Sequence, residues 1–175
     1  VYVAIDSRHL RNAARGLTHA SNHLILLAKN ATGYRNLTKL VSKGYLEGFY
    51  YNPRIDKELL RQHSEGLICL SACISGEIAH TIDLDGVAAA EQAAIEYRDI
   101  FGDDYYLEMQ RHGIQGEAKV NDGIVSLHEK LGIPLVATND FHFLRRDDHD
   151  AHDALICIQT GKTVDDNNRM CYPDG

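Results

Sequence analysis

A carboxylate and an imidazole stand two residues apart at the end of an apolar run. The run 133–137 follows Gly132 and precedes Thr-Asn-Asp-Phe-His at 138–142. If the run is a strand, Asp140 and His142 point to the same face, because side chains alternate along a strand. An oxygen and a nitrogen ligand together suit zinc, manganese or iron better than calcium, which prefers oxygen ligands alone. The pair predicts a metal site, and a loop carboxylate that caps the next helix is the alternative.

Two further metal-ligating residue types stand beside apolar runs. Cys73 follows the run 67–72, and His23 opens the run 23–29. In α/β proteins the chemistry lies at the carboxyl ends of parallel strands, which is where Cys73 is expected. A buried thiol and a core histidine are the alternatives, since both residue types also occur as inert packing.

Composition bounds the class of protein. The chain has 175 residues, 44% hydrophobic and 25% charged, which predicts one globular domain. No apolar run approaches the roughly 18 residues of a spanning helix, so a cytoplasmic protein without membrane contact is expected. The net charge of −7 argues against a grip on a nucleic-acid backbone by this chain alone. The four cysteines form no C-x-x-C pair, which favours reduced thiols.

Apolar runs and amphipathic segments alternate along the chain. This order predicts an α/β fold with mostly parallel strands, because the crossovers are long enough to return each strand in the same direction. Periodicity does not distinguish an open sheet from a closed barrel. The predicted strands are 1–5, 23–29, 67–72, 105–110 and 133–137, and the predicted helices are 32–46, 56–62, 86–101 and 115–131.

The predicted helix 32–46 has two distinct faces. The expected core face is a stripe at helical spacing made of Tyr34, Leu37, Leu40, Val41 and Tyr45. The other face carries Arg35, Lys39 and Lys43 at successive steps of four residues. A solvated helix face is the expected role of this basic row, and a track for phosphates is the alternative.

Several longer stretches together resemble one family. Nearly the whole chain is similar, in order and with plausible spacing, to the polymerase and histidinol phosphatase (PHP) domain of the alpha subunit of bacterial DNA polymerase III. The matching stretches are HLILLAKN at 23–30, GYRNL at 33–37, GFYYNPR at 48–54, GLICLSAC at 66–73, SGE at 75–77, YLEMQ at 106–110, VATNDFH at 136–142 and DALICIQTGK at 153–162.

The resemblance implies a fold and a set of site residues. It implies a distorted (βα)7 barrel, here partial, whose strand ends hold a cluster of divalent ions such as zinc, manganese or iron. The ligands implied for this cluster are His23, Cys73, Asp140 and His142. Glu108 is implied as a carboxylate behind the ligands, with a satisfied strand-end acid as the alternative. Arg111 and His112 are candidates to steady a phosphate, with an ordinary surface loop as the alternative.

The resemblance also implies a parent enzyme, a replicative DNA-directed DNA polymerase. Its DNA, nucleotides, palm magnesium and partner subunits, such as the proofreading subunit, would be bound largely outside this chain. The family's opening His-x-His, its Asp-His-Gly and one glutamate have no counterpart here, so an N-terminally truncated fragment is expected. Residues 1–160 are expected to be the PHP domain and 161–175 the start of the connection toward the palm. The domain's own role is expected to be metal-dependent phosphoesterase or 3′-5′ exonuclease chemistry, with a non-catalytic docking scaffold or a stand-alone phosphatase as alternatives.

Overall fold

The computed structural model describes residues 1–11, 21–114 and 116–172. Gln115, the first residue of one predicted helix, and the last three residues of the predicted connection lie outside this part. The strands are β1 Tyr2–Ala4, β2 Ser21–His23, β3 Ile25–Ala28, β4 Arg54–Ile55, β5 Leu67–Leu70, β6 Tyr105–Met109 and β7 Leu135–Ala137. The helices are α1 Ala31–Leu46, α2 Lys57–His63, α3 Glu77–Asp85, α4 Val87–Phe101, α5 Glu117–Leu131 and α6 His149–Thr160. None of the described helices has both the length and the apolar character needed to cross a bilayer.

The strands form two mixed sheets. The first has the order β2-β1-β4, with β1 antiparallel to β2 and parallel to β4. The second has the order β3-β5-β6-β7, in which β5, β6 and β7 are parallel. An α/β fold is therefore confirmed. In the described part of the chain both sheets are open, so a closed barrel does not form there.

The connection between β3 and β5 was predicted to return a parallel strand, and this prediction is wrong. β3 runs antiparallel to β5, with Ile25 opposite Leu70 and Ala28 opposite Leu67. The predicted strand 23–29 is also two strands, because the chain leaves the first sheet after His23 and enters the second at Ile25. β3 lies at the sheet edge and packs on α1, so Leu26 is buried while Leu27 is 49% exposed. The run is thus buried on one face only.

The parallel strands are packed against α4 and α5, as helical periodicity predicts. In α4 the buried face is Ala90, Ala94, Tyr97 and Phe101, and in α5 it is Val120, Gly123, Ile124 and Leu127. Gly132 ends α5 in the left-handed conformation, which glycine adopts without steric cost. This packing fixes the carboxyl ends of β5, β6 and β7 side by side, where the site residues follow.

The predicted core face of α1 is confirmed for Leu37 and Leu40 and wrong for Tyr34, Val41 and Tyr45. The buried residues of this helix are Gly33, Leu40 and Gly44, whereas Tyr34 and Tyr45 are 68% and 59% exposed. Helix α1 contacts α2, β3, β4 and β5 through the glycine face. The buried face is rotated by roughly 60° from the predicted one, because Gly33 and Gly44 allow an approach that larger side chains prevent.

We expect Gly33→Ala to be strongly destabilising. A Cβ atom at Gly33 would lie 1.8 Å from the carbonyl oxygen of Gly66, and this oxygen cannot move freely because it accepts a hydrogen bond from Lys29 N at 2.8 Å. The expected loss is about 3 kcal/mol or more, at the upper end of overpacking effects. Urea denaturation measures it. Ser42→Ala, on the exposed side of the same helix, is the matched control, and an equal effect of both changes would contradict the close approach.

Candidate functional site

Six of the seven predicted site residues line one cleft of about 830 Å³ at the carboxyl ends of the parallel strands. They are His23, Cys73, Glu108, His112, Asp140 and His142. Arg111 is exposed and does not line the cleft. The fold therefore gathers residues that are far apart in sequence, although their roles as ligands stay predictions.

His23 and Cys73 are in direct contact. His23 is the last residue of β2, not the first of a strand, and its Nδ1 lies 3.7 Å from the Sγ atom of Cys73. Its backbone N–H donates to Ser75 O at 3.0 Å, and its ring stacks on Tyr2 with centroids 5.6 Å apart. These contacts fix the imidazole against the turn that carries the thiol.

The separation of this pair suits a shared metal ion. Zn–N bonds of about 2.0 to 2.1 Å and Zn–S bonds of about 2.3 Å at a tetrahedral angle place the two donor atoms about 3.6 Å apart. The observed distance between Nδ1 and Sγ is 3.7 Å. The separation of these two atoms is therefore compatible with two ligand positions of one ion.

Burial favours the neutral form of both side chains. The pKa of His23 is lowered by burial, against the opposing charges of Asp140 and Glu108. A lowered pKa keeps the imidazole lone pair available for a ligand. Burial raises the pKa of Cys73, and the charge of Asp140 adds to this, although hydrogen bonds from Ser75 oppose it. A cation bound to the sulfur would favour the thiolate instead.

Unusual backbone conformations are concentrated at the cleft. In the described part of the chain, the non-glycine residues with positive φ are Tyr51, Ala72 and Asp140, at 60°, 68° and 44°. All three line the cleft. Such conformations cost free energy and persist where the surroundings hold them, most often at functional sites. Two of them lie in the turns that place Cys73 and Asp140.

The carboxylate of Glu108 joins the turns that follow three strands. The residue is 2% exposed. Its Oε2 accepts from the backbone N–H of Ala72 at 3.0 Å, and its Oε1 accepts from Gln110 Nε2 at 3.0 Å and from the hydroxyl of Thr138. Its own backbone N–H donates to Ser71 Oγ at 2.8 Å. Glu108 thus holds the turn before Cys73 and the turn before Asp140 in one arrangement.

Glu108→Ala should misplace the turns on both sides of the cleft. The substitution leaves the Ala72 N–H and the Thr138 hydroxyl without their acceptor, which is expected to cost about 2 to 3 kcal/mol. Glu108→Gln keeps one oxygen acceptor and should recover part of this loss. Urea denaturation of both variants provides the measurement. If the Ala and Gln variants lose the same stability, hydrogen bonding by this carboxylate does not position the turns.

Asp140 and His142 lie on the more open side of the cleft. Both are exposed, and the Nδ1 of His142 hydrogen-bonds the carbonyl oxygen of Asp140 at 2.7 Å. The Nε2 of His142 is 3.1 Å from the hydroxyl of Tyr172. Both ring nitrogens are therefore occupied. Within residues 1–11, 21–114 and 116–172, no three His, Cys, Asp or Glu side chains converge closely enough to hold an ion.

Several residues that line the cleft were not predicted from the sequence, and two of them lie near the C-terminus. Met170 and Tyr172 line it from the C-terminal segment. Burial raises the pKa of Tyr172, and the charges of Asp140 and Cys73 add to this effect. The segment has no periodic pattern, so no signal in the sequence brings it to the cleft.

His112 forms a structural link at the rim. Its Nδ1 lies 3.0 Å from Glu117 Oε1, its backbone N–H donates to Glu117 Oε2 at 2.7 Å, and its Nε2 contacts the carbonyl oxygen of Asn139. Burial would raise the pKa of Glu117, but the hydrogen bonds from His112 and Gly113 outweigh this and lower it. These contacts join the start of α5 to the turn before Asp140. The phosphate-contacting role of Arg111 and His112 stays a prediction.

Comparison with known proteins adds the family context. A family model described as PHP domain matches residues 1–112. The chain is 48% identical over 169 residues to DNA polymerase III subunit alpha of Borreliella burgdorferi, covering 97% of this chain and 15% of the relative. It is 48% identical over 173 residues to the subunit of Treponema pallidum, an alignment that covers 98% of this chain and 15% of the relative. It is 46% identical over 172 residues to the subunit of Thermus aquaticus, with 98% of this chain and 14% of the relative covered. The chain therefore spans about 15% of the length of the curated relatives it matches.

Proposed function

The chain belongs to the PHP domain family, and from this we propose that it is the PHP portion of a DNA polymerase III alpha subunit. The observation that carries the proposal is the alignment of almost the whole chain with subunits of that name. The parent protein would be a DNA-directed DNA polymerase, a nucleotidyltransferase of bacterial DNA replication in the cytoplasm. It would bind DNA, nucleotides and other replisome subunits, and polymerisation magnesium would be held outside this chain.

The proposed domain limits are 1–160 for the PHP domain and 161–175 for the connection toward the palm. The described part of the connection folds back along α6. Arg169 forms an ion pair with Asp153 of that helix, and His149 Nε2 is 3.0 Å from the carbonyl oxygen of Tyr172. These contacts explain how a connecting segment also lines the cleft.

For the cleft itself we propose a metal-dependent phosphoester hydrolase site, with proofreading from a 3′ end as one possible use. The support is the contact between His23 and Cys73, whose donor atoms are spaced for one ion of the zinc class. Such an ion would supply Lewis acidity and lower the pKa of a bound water. Asp140 and His142 are the proposed further ligands.

The chain's own residues would prepare this site in three ways. Glu108 holds the turns of Cys73 and Asp140 together, which keeps both residues at the same cleft. The buried surroundings of His23 keep its imidazole neutral. Rotation of Tyr172 away from His142 would free the Nε2 lone pair.

A docking scaffold is the second candidate function. It is favoured by one observation: in the described residues the donors of the cleft do not converge as a group of three. A scaffold would need the cleft residues only for packing and hydrogen bonding. The two candidates differ in whether the full-length protein binds metal through these residues.

The test compares Asp140→Ala and His142→Ala in the full-length protein. Both variants should lose bound metal and hydrolysis of a phosphodiester substrate by tenfold or more, while nucleotide incorporation stays within about twofold, because the polymerase ions are held elsewhere. Asp165→Ala, an exposed acid outside the cleft, is the control. Elemental analysis and separate assays of hydrolysis and incorporation are the measurements. Unchanged metal content and hydrolysis would leave the scaffold as the function of the domain.

A further inference from the structure

Charged side chains of α2, α3 and α4 meet outside the cleft. On α2, the Nζ atom of Lys57 donates to Glu77 Oε1 at 2.7 Å and to Glu96 Oε2 at 3.0 Å. The side chains of Lys57 and Glu77 are 18% and 23% exposed, so solvent screens their attraction less than that of an open surface pair. Neither residue lines the cleft. This ion pair therefore joins α2 to the first residue of α3 from outside the site.

A buried tyrosine holds the second oxygen of Glu77. The hydroxyl of Tyr97 on α4 donates to Glu77 Oε2 at 2.9 Å. Tyr97 is 1% exposed, and its ring stacks on Tyr105, the first residue of β6. The Nζ atom of Lys57 lies over the ring of Tyr97, 4.8 Å from its centre, where a cation is attracted to the aromatic face. Both oxygens of Glu77 are thus bound by groups that other elements hold in place.

Glu77 begins α3 directly after the turn that carries Cys73. The backbone N–H of Gly76 in this turn donates to the carbonyl oxygen of Cys73 at 2.8 Å. The carbonyl oxygen of Ser75 accepts from the His23 N–H at 3.0 Å. The turn is closely packed, since a Cβ atom at Gly76 would lie 2.2 Å from a backbone oxygen. A displacement of Glu77 therefore moves Cys73 and the backbone that binds His23.

The other end of this turn is held from within the cleft. Glu108 accepts from the backbone N–H of Ala72 at 3.0 Å, and Ala72 has a positive φ of 68°. Such a conformation persists only where the surroundings hold it. The turn from Ala72 to Glu77 is thus anchored at each end by a carboxylate, and at the second end Lys57 supplies the positive charge.

We propose that Lys57 is a positioning residue for the cleft. Through Glu77 it fixes the start of α3, and thereby the contact between Cys73 and His23, whose donor atoms are 3.7 Å apart. The proposal rests on the metal-binding role proposed above for this pair. It adds a residue that does not touch the ion but holds one of its ligands in place.

The alternative is a cluster that only joins helices. Arg61 on α2 forms an ion pair with Glu96, and so reaches the same cluster one residue farther from Glu77. If the cluster serves only the packing of α2, α3 and α4, loss of either cation should have the same consequence at the cleft. Arg61→Met is therefore the matched control for Lys57→Met.

The first experiment measures how fast iodoacetamide alkylates Cys73 in the metal-free full-length protein, with each cysteine quantified by mass spectrometry. Lys57→Met removes the cation and keeps an apolar side chain of similar length over the tyrosine ring. The rate at Cys73 should rise by at least about fivefold, because the half-buried thiol becomes accessible when its turn loosens. Lys57→Arg, which keeps the cation, and Arg61→Met should both stay within about 1.5-fold of the unsubstituted protein.

Two internal references and one further variant complete this experiment. Cys69 on β5 is fully buried and Cys171 is exposed. The alkylation rates of both should stay within about 1.5-fold in every variant, because the rest of the fold is unchanged. Tyr97→Phe removes the other hydrogen bond to Glu77 and keeps the ring. It should raise the rate at Cys73 by about twofold to threefold, and it tests the anchoring of Glu77 even if Lys57→Met does not fold.

The second experiment separates this proposal from the proposed function of the cleft. It is a cobalt titration of the full-length protein, followed by the thiolate charge-transfer band. Lys57→Met should bind cobalt about tenfold more weakly, whereas Lys57→Arg and Arg61→Met should bind it like the unsubstituted protein. A band that is absent from the unsubstituted protein would contradict the metal role of the cleft. The alkylation rates alone would then decide whether Lys57 holds the turn.

Three results would overturn the proposal. Equal alkylation of Cys73 in Lys57→Met and Arg61→Met would show that the cluster only joins helices. A parallel rise at Cys69 would show that the substitution loosens the whole fold. A rate in Lys57→Arg as high as in Lys57→Met would show that the charge at this position does not hold Glu77.

Discussion

Cys73→Ala is expected to lower the metal content of the full-length protein by at least tenfold, and His23→Ala by a similar factor. Each change removes one of two donors whose separation, 3.7 Å, suits one tetrahedral ion. Loss of residues that only orient ligands already costs about tenfold to a hundredfold in metal affinity, so loss of a ligand should cost at least as much. Elemental analysis after dialysis is the direct measurement.

Cobalt substitution provides a readout specific to the thiol. A cobalt-loaded protein should show a thiolate charge-transfer band that Cys73→Ala abolishes. Cys171→Ala, at an exposed cysteine, should keep both the band and the metal content. If Cys73→Ala retains its metal, the contact between His23 and Cys73 is packing, and the scaffold becomes the better interpretation of the cleft.

The sequence predicted the class of fold and most elements, and it failed where close packing decides orientation. The alternation of runs and helices is a local signal, so α4, α5 and the parallel strands were found with small errors at their ends. The orientation of α1 depends on Gly33 and Gly44 meeting backbone atoms, which hydrophobic periodicity does not register. Hydrophobic periodicity also did not show that β3 is buried on one face only.

In the candidate site, too, the sequence indicated some features and only the folded structure showed the others. Strand-end positions and the family resemblance, which the family match confirms, brought His23, Cys73, Asp140 and His142 to attention. The hydrogen bonds of Glu108 connect it to residues up to 37 positions away, and no pattern in the chain encodes them. Sequence reasoning therefore proposes donor residues, whereas only the fold shows how those donors are held.

The buried ion pair between Arg8 and Asp56 is expected to make a large contribution to the stability of the fold. Asp56 is 2% exposed. Its carboxylate accepts from the Arg8 backbone N–H at 3.0 Å, from Arg8 Nη1 at 2.8 Å and, as the N-cap of α2, from Leu59 N–H at 3.0 Å. The guanidinium also contacts Glu47 at 2.8 Å. Removing the carboxylate leaves the arginine partly uncompensated.

Asp56→Ala should therefore lower the free energy of unfolding by about 3 to 5 kcal/mol, of which about 1 kcal/mol is the lost cap. Asp56→Asn keeps an oxygen that can cap α2 but loses the charge, so its loss should be intermediate. Urea denaturation at pH 7 is the measurement. The free energy of unfolding of the control variant Asp165→Ala should stay within about 0.5 kcal/mol of that of the unsubstituted chain. If the Asp56→Ala and Asp56→Asn variants both lose little free energy of unfolding, the ion pair contributes no net stability.

The pH dependence distinguishes the charge from the cap. Burial alone would raise the pKa of Asp56, but hydrogen bonds from Arg8 and Leu59 and the charge of Arg8 outweigh it and lower the pKa. A lowered folded-state pKa adds stability above the unfolded value of about 3.9, and this is lost as the pH falls through the folded value. As the pH falls from about 5 to below the folded-state pKa of Asp56, the unsubstituted chain should thus lose more stability than the Asp56→Asn variant. Parallel curves for the two proteins would show that the carboxylate acts through hydrogen-bond geometry and not through its charge.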